Sequence, residues 1–295
     1  MEKPAYELSP ATSFIESDLR SWDTCLSVTR DVSQIYHLAA NMGGIGYITK
    51  RRAEVAADNL RIDAQMLQAS SMGGVGRLLF ASSACVYPLF IQNSNSPRAL
   101  VEADAHPADP EDGYGWAKLM TEKMCEYYRL EGLVDTRIAR VHNIFGPGGV
   151  WEGGKEKAPA AICRKVAMAE SGSTIEVWGD GKQVRSYCVV DDAVEAVIRL
   201  MSSDYADPVN IGQGRAVTIS ELVQMVCLIA GKELHMQYCP NRPMGVRYRN
   251  ADISLAQREL GWRPAVSLEA GLAATYAWVH GQMSSSHPRR RRDAR

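Results

Sequence analysis

The sequence predicts a doubly wound α/β fold, in which helices cover both faces of a parallel sheet, with a smaller cap in the C-terminal part. Short apolar segments typical of buried strands occur at residues 34–40, 78–81 and 136–141. They alternate with long helical segments at residues 53–71 and 114–131, as in chains that build parallel sheets. Hydroxyl side chains begin where the second of these strands ends, which is the edge where such sheets bind ligands.

Composition limits the class of protein. The 295 residues are 46% hydrophobic, which is enough for one large α/β domain or for a domain with a smaller cap. The formal net charge of −1 gives no general case for binding nucleic acid or a membrane surface. Seven cysteines lie scattered among apolar segments, and no apolar run approaches the roughly 20 residues that span a bilayer. We therefore expect reduced thiols in a cytoplasmic protein, with no metal site.

The N-terminal segments come before the glycine-rich stretch. Residues 1–13 are expected to form a loosely held arm, residues 14–18 a strand that ends at Asp18, and residues 20–30 a helix. After the strand at 34–40, Ala39 and Ala40 precede the glycines of residues 43–46. Small residues there would let a flat ring approach the backbone, although a plain glycine turn has the same pattern.

The reactive groups of the predicted site lie in two segments. Ser82, Ser83 and Cys85 stand at the carboxyl edge of the second strand, and Tyr114 and Lys118 are four residues apart on one helix face. An ammonium near a phenol lowers the phenol pKa, so that the tyrosine can accept a proton near neutrality. With Ser83 holding a substrate hydroxyl, such a set can deprotonate an alcohol while its hydride passes to a nicotinamide. Tyr-x-x-x-Lys alone also occurs by chance, so the prediction depends on the two segments together.

The second half of the chain continues the alternation. We expect helices at 160–169, 191–202, 218–230, 254–260 and 268–282, strands at 187–190 and 208–212, and a hairpin over 175–186 whose tight turn is Gly179-Asp-Gly181. Arg247, Arg249 and Asp252 are expected in a polar loop. The predicted domains are a sheet domain at 1–145, which the resemblance described below implies to be an incomplete nucleotide-binding domain, a cap with returning sheet elements at 146–283 and a disordered basic tail at 284–295. Four arginines in that tail could bind nucleic acid or direct nuclear import, and we favour a solvated tail.

Several of these motifs resemble the extended short-chain dehydrogenase/reductase family of NAD-dependent epimerases and dehydratases. The general ones are His37-Leu-Ala-Ala40, the serine strand, Tyr114 with Lys118, Gly146-Pro147, Trp178-Gly-Asp-Gly181 with Arg185, Val209-Asn-Ile-Gly212 and Gly261-Trp-Arg-Pro264. The resemblance implies a Rossmann-like domain with NAD as cofactor. Such domains open with a strand and a glycine-rich turn that holds the pyrophosphate. No such segment precedes Phe14, so we expect the chain to begin after the second strand of the usual fold; an alternative start codon, an incomplete gene sequence or a deletion would each give this result.

Three narrower motifs resemble the branch that interconverts GDP-mannose and GDP-L-galactose. They are Met42-Gly-Gly-Ile-Gly-Tyr-Ile48, Ser82-Ser-Ala-Cys-Val-Tyr-Pro88 and Gly153-Gly-Lys-Glu-Lys-Ala-Pro-Ala-Ala161. The resemblance implies that Cys85 and Lys157 exchange protons on the two faces of a hexose whose C4 has been oxidised. A thiol and an amine suit this role because burial and mutual charge bring both pKa values toward neutrality. Taken singly, Cys85 could be a core residue and Lys157 a solvated side chain.

The same resemblance implies the rest of the site and the partners. Catalytic roles fall to Ser83, Cys85, Tyr114, Lys118 and Lys157; cofactor contacts to Asp18, Ala39, Ala40, Asn59, Tyr114 and Lys118; substrate contacts to Gly43, Gly44, Asn143, Glu156, Lys165, Gln183, Arg185 and Arg247. The expected substrate is a GDP-hexose and the expected assembly a homodimer formed by the two long helices. The alternatives are another NAD-dependent nucleotide-sugar 4-epimerase or decarboxylase, and an inactive fragment that binds a sugar nucleotide but not NAD.

Overall fold

The structure is a computed structural model that describes residues 9–286, with side chains to residue 284. Its helices are α1 Trp22–Thr29, α2 Ile45–Ile48, α3 Arg52–Met72, α4 Leu89–Gln92, α5 Asp112–Leu130, α6 Ala158–Met168, α7 Val190–Ser202, α8 Ile219–Ala230, α9 Ser254–Leu260 and α10 Leu268–Ser286. Its strands are β1 Gln34–His37, β2 Arg77–Ser83, β3 Asp135–Val141, β4 Ile144–Phe145, β5 Thr174–Trp178, β6 Val184–Ser186, β7 Cys188–Val189, β8 Val209–Ile211, β9 Ala216–Thr218, β10 His235–Cys239 and β11 Tyr248–Arg249.

The central sheet of the described residues has the order β1-β2-β3-β8, and every neighbouring pair is parallel. Its second strand is apolar at consecutive positions because both of its faces are covered, as parallel sheets require. Leu78 and Phe80 pack with Leu67 of α3, whereas Leu79 packs with Leu200 of α7 on the opposite face. Helices on both faces of a parallel sheet confirm the predicted doubly wound fold.

The cap has its own hydrophobic core. Helices α6, α8 and α10 pack together beside the parallel pair β5 and β10. Ile162, Val177, Leu222 and Leu272 lie in this core, and each is less than a tenth exposed. Helix α8 begins with the capping box that Thr218 and Glu221 form, which satisfies the backbone N–H groups of its first turn.

Two predicted elements are wrong, one in the first half of the chain and one in the cap. Residues 14–18 are not a strand, since they pair with no other segment of the described chain. Residues 175–186 do not form a hairpin, because β5 pairs with β10 whereas β6 pairs with β9 and β11. The glycines of Gly179-Asp-Gly181 do take positive φ angles, of 82° and 73°, but the turn joins two different sheets.

Arg249 is also placed differently from the prediction. It lies in β11, which pairs in parallel with β6 through Arg249 and Arg185, and not in a polar loop. Its side chain is buried and held by hydrogen bonds, so a charged residue that looks solvated in the sequence belongs to the interior.

The remaining predictions concern the termini, the cysteines and the membrane. Residues 1–8 and 287–295 lie outside the described residues, and with them nearly all of the predicted basic tail. All seven cysteines are free thiols, and Cys25, Cys125, Cys163 and Cys188 are fully buried, as expected for small core residues. Among residues 9–286, no helix has the length and apolar character needed to cross a bilayer.

Candidate active site

A cavity of about 410 Å³ opens where the carboxyl ends of β2 and β3 face the cap. Parallel sheets of this class bind ligands at this edge. Most of the predicted catalytic and substrate-binding residues line it: Gly43, Gly44, Ser83, Cys85, Tyr114, Asn143, Glu156, Lys157, Lys165, Gln183 and Arg185. The structure therefore brings together residues that lie up to 142 positions apart in the chain.

Ser83 and Tyr114 form the inner end of the cavity. Ser83 ends β2, and its hydroxyl accepts a hydrogen bond from the backbone N–H of Cys85 at 3.2 Å. Tyr114 lies in the first turn of α5 and is buried, and its hydroxyl is near Ser83. Burial raises the pKa of Tyr114, and the neighbouring Cys85 and Asp63 raise it further, whereas the Ser83 side chain lowers it slightly against these influences.

Lys118 lies one turn along α5, behind Tyr114. Its Nζ is 3.5 Å from the carboxylate of Asp63 and 5.9 Å from the centroid of the Tyr114 ring. Asp63 is itself buried and also contacts His37 at 2.8 Å. The expected lowering of the Tyr114 pKa by Lys118 is wrong for this structure, because the ammonium is paired with Asp63 and the burial of the phenol has the larger effect.

Cys85 follows Ser83 in a short 3-10 turn, Ala84–Val86. Its sulfur lies 3.5 Å from Nη1 of Arg249 and 3.9 Å from a carboxylate oxygen of Glu111. The backbone N–H of Glu111 donates to the carbonyl of Cys85 at 3.1 Å. A side chain at Gly115 would overlap that same carbonyl oxygen, so helix α5 can approach Cys85 this closely only with glycine there.

Lys157 stands at the N-terminus of α6 and projects into the cavity from the cap side. Solvent reaches its side chain through the cavity, but the cavity wall surrounds the amine with protein atoms on most sides. This desolvation lowers the pKa of Lys157, and the charge of Arg249 adds to the effect, whereas Cys85 opposes it. The amine is therefore closer to its neutral, basic form than a solvated lysine.

The loop before α6 is held against the loop after β1. The backbone N–H of Gly44 donates to the carbonyl of Lys155 at 3.0 Å, and a Cβ at position 44 would lie 2.5 Å from the carbonyl oxygen of Glu156. The carboxylate of Glu156 accepts hydrogen bonds from Arg164 at 3.0 Å and from the N–H of Gly154 at 2.6 Å. Glycine at position 44 therefore allows the contact that places Lys157.

Basic side chains also line the cavity on its cap side. Lys165 donates to the carbonyl of Glu176 at 2.7 Å and lies over the Trp178 ring. Arg185 donates to the carbonyl of Val246 at 2.5 Å, and burial lowers the pKa of Arg185 to about 10. Arg247 does not line this cavity; its side chain is 61% exposed and 3.6 Å from Asp180.

Three of the predicted cofactor residues differ in their surroundings. Ala40 lies in the loop after β1 and packs in the same cluster as Tyr114 and Cys85, so it stands beside the predicted catalytic residues. Asn59 is fully buried, and all its polar atoms bind the backbone of Val55 and Asn41, which fixes the loop after β1. Asp18 is exposed and bound to Arg20, which lowers its pKa to about 2.

Sequence reasoning missed Glu111, Arg249 and Asp63. Glu111 precedes Tyr114 by only three residues, so its position near the reactive helix was a usable signal. Arg249 and Asp63 gave no such signal, because burial and pairing of a charged residue depend on contacts with distant segments.

Comparison with known proteins places the chain in a family. Residues 2–212 match the NAD dependent epimerase/dehydratase family. The chain belongs to this family. The members of this family are enzymes that use NAD as cofactor. The similarity of this chain to nucleotide-sugar epimerases supports a function of that kind.

Two relatives and two solved structures illustrate the similarity. GDP-mannose 3,5-epimerase of Arabidopsis thaliana is 44% identical over 266 residues, which are 90% of this chain and 70% of that protein. GDP-L-fucose synthase of Escherichia coli (strain K12) is 28% identical over 84% of this chain and 80% of its own. UDP-glucose 4-epimerase of Thermotoga maritima, solved with UDP-glucose, superposes with a TM-score of 0.84 at 26% identity, over 94% of this chain and 87% of the other. The enzyme of that name from Thermus thermophilus, in complex with NAD, has a TM-score of 0.82 at 22% identity over 93% and 86%, which shows the shared fold.

Proposed function

We propose that this enzyme interconverts GDP-mannose and GDP-L-galactose by transient oxidation at C4 of the hexose and proton exchange at C3 and C5. The observation that carries this proposal is the position of Cys85 and Lys157, which line the same cavity as Ser83 and Tyr114. A 4-epimerase needs only the second pair. The 44% identity to a GDP-mannose 3,5-epimerase supports the same substrate.

The first step is proton removal from the C4 hydroxyl. Ser83 would hold that hydroxyl and Tyr114 would accept its proton, because both groups line the inner end of the cavity. Burial raises the pKa of Tyr114 in this structure, so the role requires the phenolate form, which a cation held beside the ring would favour. Bound NAD supplies a reversible hydride acceptor for C4. Ala39, Ala40, Tyr114 and Lys118 are the residues we assign to its nicotinamide half, and Asp18 remains a predicted contact of the other half. Asn59 would act only by fixing the loop after β1.

The second step is inversion of carbons next to the new ketone. A ketone acidifies the hydrogens on C3 and C5, and inversion requires that one group removes a proton while another returns one to the opposite face. Cys85 comes from the sheet side and Lys157 from the cap side of the cavity. The lowered pKa of Lys157 suits a group that must change protonation state during turnover.

The substrate-binding residues surround this centre. We assign Lys165 and Arg185 to the diphosphate, because both are cations on the cap wall of the cavity and arginine binds phosphate oxygens with two hydrogen bonds. Gly43, Gly44, Asn143, Glu156 and Gln183 are assigned to the sugar nucleotide as further lining residues. Arg247 stays a predicted contact outside the cavity wall.

The proposed assembly is a homodimer in the cytoplasm. Exposed apolar side chains, Leu60 of α3 and Trp116, Met120 and Tyr127 of α5, support a second copy as the occupant of this helical face. Free cysteines throughout the described chain support a reducing compartment.

Replacement of Cys85 by alanine tests the function directly. With GDP-mannose and NAD, we expect solvent deuterium uptake at C5 to fall by about 10²–10⁴-fold, because the group that exchanges this proton is gone. Oxidation at C4, measured as transient NADH absorbance, should persist. Cys227→Ala, in the cap core away from the cavity, is the matched control and should retain exchange. Undiminished exchange in the Cys85 variant would refute the role of the thiol.

Two rival functions predict other results. A nucleotide-sugar 4-epimerase or decarboxylase would give a product changed at C4 alone or one carbon shorter, and would not depend on Cys85. A protein that binds sugar nucleotide without NAD would show no heat of NAD binding by calorimetry, even at millimolar cofactor.

A further inference from the structure

Two oppositely charged side chains face the sulfur of Cys85. Nη1 of Arg249 lies 3.5 Å from the sulfur, and Oε2 of Glu111 lies 3.9 Å from it. The same carboxylate oxygen accepts a hydrogen bond from Nη2 of Arg249 at 2.6 Å. Both side chains are largely buried, at 9% and 13% exposed. The thiol therefore does not face the cavity alone but is part of a three-residue cluster.

The two charged groups have complementary hydrogen-bonding capacity. A guanidinium can only donate hydrogen bonds, and an ionised carboxylate can only accept them. A protonated thiol is a donor and finds its acceptor in Glu111, whereas a thiolate is an acceptor and finds its donor in Arg249. Either protonation state of Cys85 can therefore keep a partner without movement of the sulfur.

We propose that Glu111 and Arg249 are positioning residues that hold the sulfur of Cys85 in place in both of its protonation states. The proposal rests on the function proposed above, in which Cys85 must both remove and return protons. A base held by only one kind of partner would lose that contact each time it changed state.

The surrounding structure fixes the pair. Nε of Arg249 donates to Gln92 at 2.6 Å, and β11 is held beside β6 in the sheet. Glu111 is held to Cys85 through its own backbone N–H. Burial alone would raise the pKa of Glu111, but the charge of Arg249 outweighs it and the pKa is lowered, so this carboxylate remains an acceptor at neutral pH.

Other charged or titratable groups also face the thiol. They are Tyr114 of α5, Lys157 before α6 and Arg185 of β6. These groups are unchanged when Glu111 or Arg249 is replaced, so the two replacements can be compared against a constant background. Loss of the cation should disfavour the thiolate, and loss of the carboxylate should favour it.

The pH dependence of Cys85 alkylation by iodoacetamide tests the proposal in the chain without substrate or cofactor. The background is Cys227→Ser with Cys239→Ser, which removes the two other incompletely buried thiols, and Cys85→Ser identifies the remaining reaction. We expect Arg249→Met to raise the midpoint of the rate profile by about one pH unit, which is tenfold at fixed pH, and Glu111→Gln to lower it.

A matched control and a conservative variant make the outcome decisive. Arg258→Met removes an exposed arginine of α9 that pairs with Glu259, and it should leave the midpoint unchanged. Arg249→Lys keeps the charge but offers no planar pair of donors, so it should raise the midpoint less than Arg249→Met does. If the Arg249→Met protein does not fold, Arg249→Lys takes its place in the comparison. Midpoints that stay fixed, or that move in the same direction for Glu111 and Arg249, would overturn the proposal. Because alkylation needs no turnover, this result is independent of whether GDP-mannose is the substrate.

Discussion

Two buried arginine–glutamate pairs, one on the central sheet and one on the sheet of β11, β6 and β9, have different environments. Arg140 binds Glu122 through two hydrogen bonds of 2.9 and 2.7 Å, and its remaining nitrogen donates to the carbonyl of Glu102 at 2.6 Å. Arg249 binds Glu111 through one of its nitrogens, and another faces the sulfur of Cys85. The first pair is 4% and 5% exposed and borders a separate pocket of about 240 Å³, whereas the second lines the cavity that holds Cys85.

The comparison shows that residue type does not decide the role of a buried ion pair. Both pairs satisfy the need of a buried charge for a partner. Arg140 also has Tyr87 within 3.4 Å, and Glu122 accepts from Ser82, so that these groups are saturated by the fold. Arg249 and Glu111 still contact the thiol of Cys85, to which we assign proton exchange.

Removal of one partner from each pair should separate the two roles. Arg140→Met leaves Glu122 uncompensated in the interior, and we expect a loss of about 3–5 kcal/mol in the free energy of unfolding. Arg249→Met leaves Glu111 with the nearby charge of Arg185 and should cost about 1–3 kcal/mol. Urea denaturation measures both. Arg215→Met, which breaks the exposed pair with Glu269, is the control and should cost less than about 1 kcal/mol. Equal losses for Arg140 and Arg249 would contradict the distinction.

The backbone beneath the cavity pair can be perturbed without a change of charge. Gly115→Ala places a methyl group against the carbonyl of Cys85 and forces α5 away from it. We expect activity to fall by about 100-fold, because a displacement near 1 Å can have this effect. The displacement would change the positions of both Glu111 and the Cys85 thiol. Gly214→Ala is the control, because a Cβ there meets no atom within 4 Å. Initial rates of both variants provide the measurement, and full activity of the Gly115 variant would show that the close approach is dispensable.

A third prediction concerns His142, whose pKa is affected by the charges of both Arg140 and Arg249. Burial lowers the pKa of His142 to about 3, and the charges of Arg249 and Arg140 add to the effect, although a 2.8 Å contact with Asn210 opposes it. The unfolded chain protonates this histidine near pH 6.5 and the folded chain does not, so stability is lost as the pH falls from about 6 toward 3. The slope contributed by this group is at most about 1.4 kcal/mol per pH unit.

Replacement of the histidine checks this assignment. His142→Asn should reduce the slope of unfolding free energy against pH over that range by up to the same amount, measured by urea denaturation at several pH values. An unchanged slope would assign the acid sensitivity to other groups.

The fold was predictable because its signals are local. Apolar runs such as residues 78–81 and long helices such as α5 gave nearly correct boundaries, since sheet and helix periodicity depend on nearby residues. The predicted hairpin at residues 175–186 failed because the partner strand β10 begins 57 residues after β5 ends. A turn sequence fixes the local backbone, but it does not determine which strand will pair.

The candidate site was predictable in its reactive residues but not in their electrostatics. Cys85, Tyr114 and Lys157 came from motifs and do line one cavity. The pairing of Lys118 with Asp63 was missed, and with it the raised pKa of Tyr114, because helical spacing gives the distance between two side chains but not which third group binds one of them.

The contact between Gly44 and Lys155 has a mechanical consequence. It ties the loop after β1, to which we assign substrate contacts, to the segment that carries the cap-side amine. Any displacement of the first loop would therefore be transmitted over two residues to Lys157. A movement of this loop on substrate binding would in this way also move the amine to which we assign proton transfer.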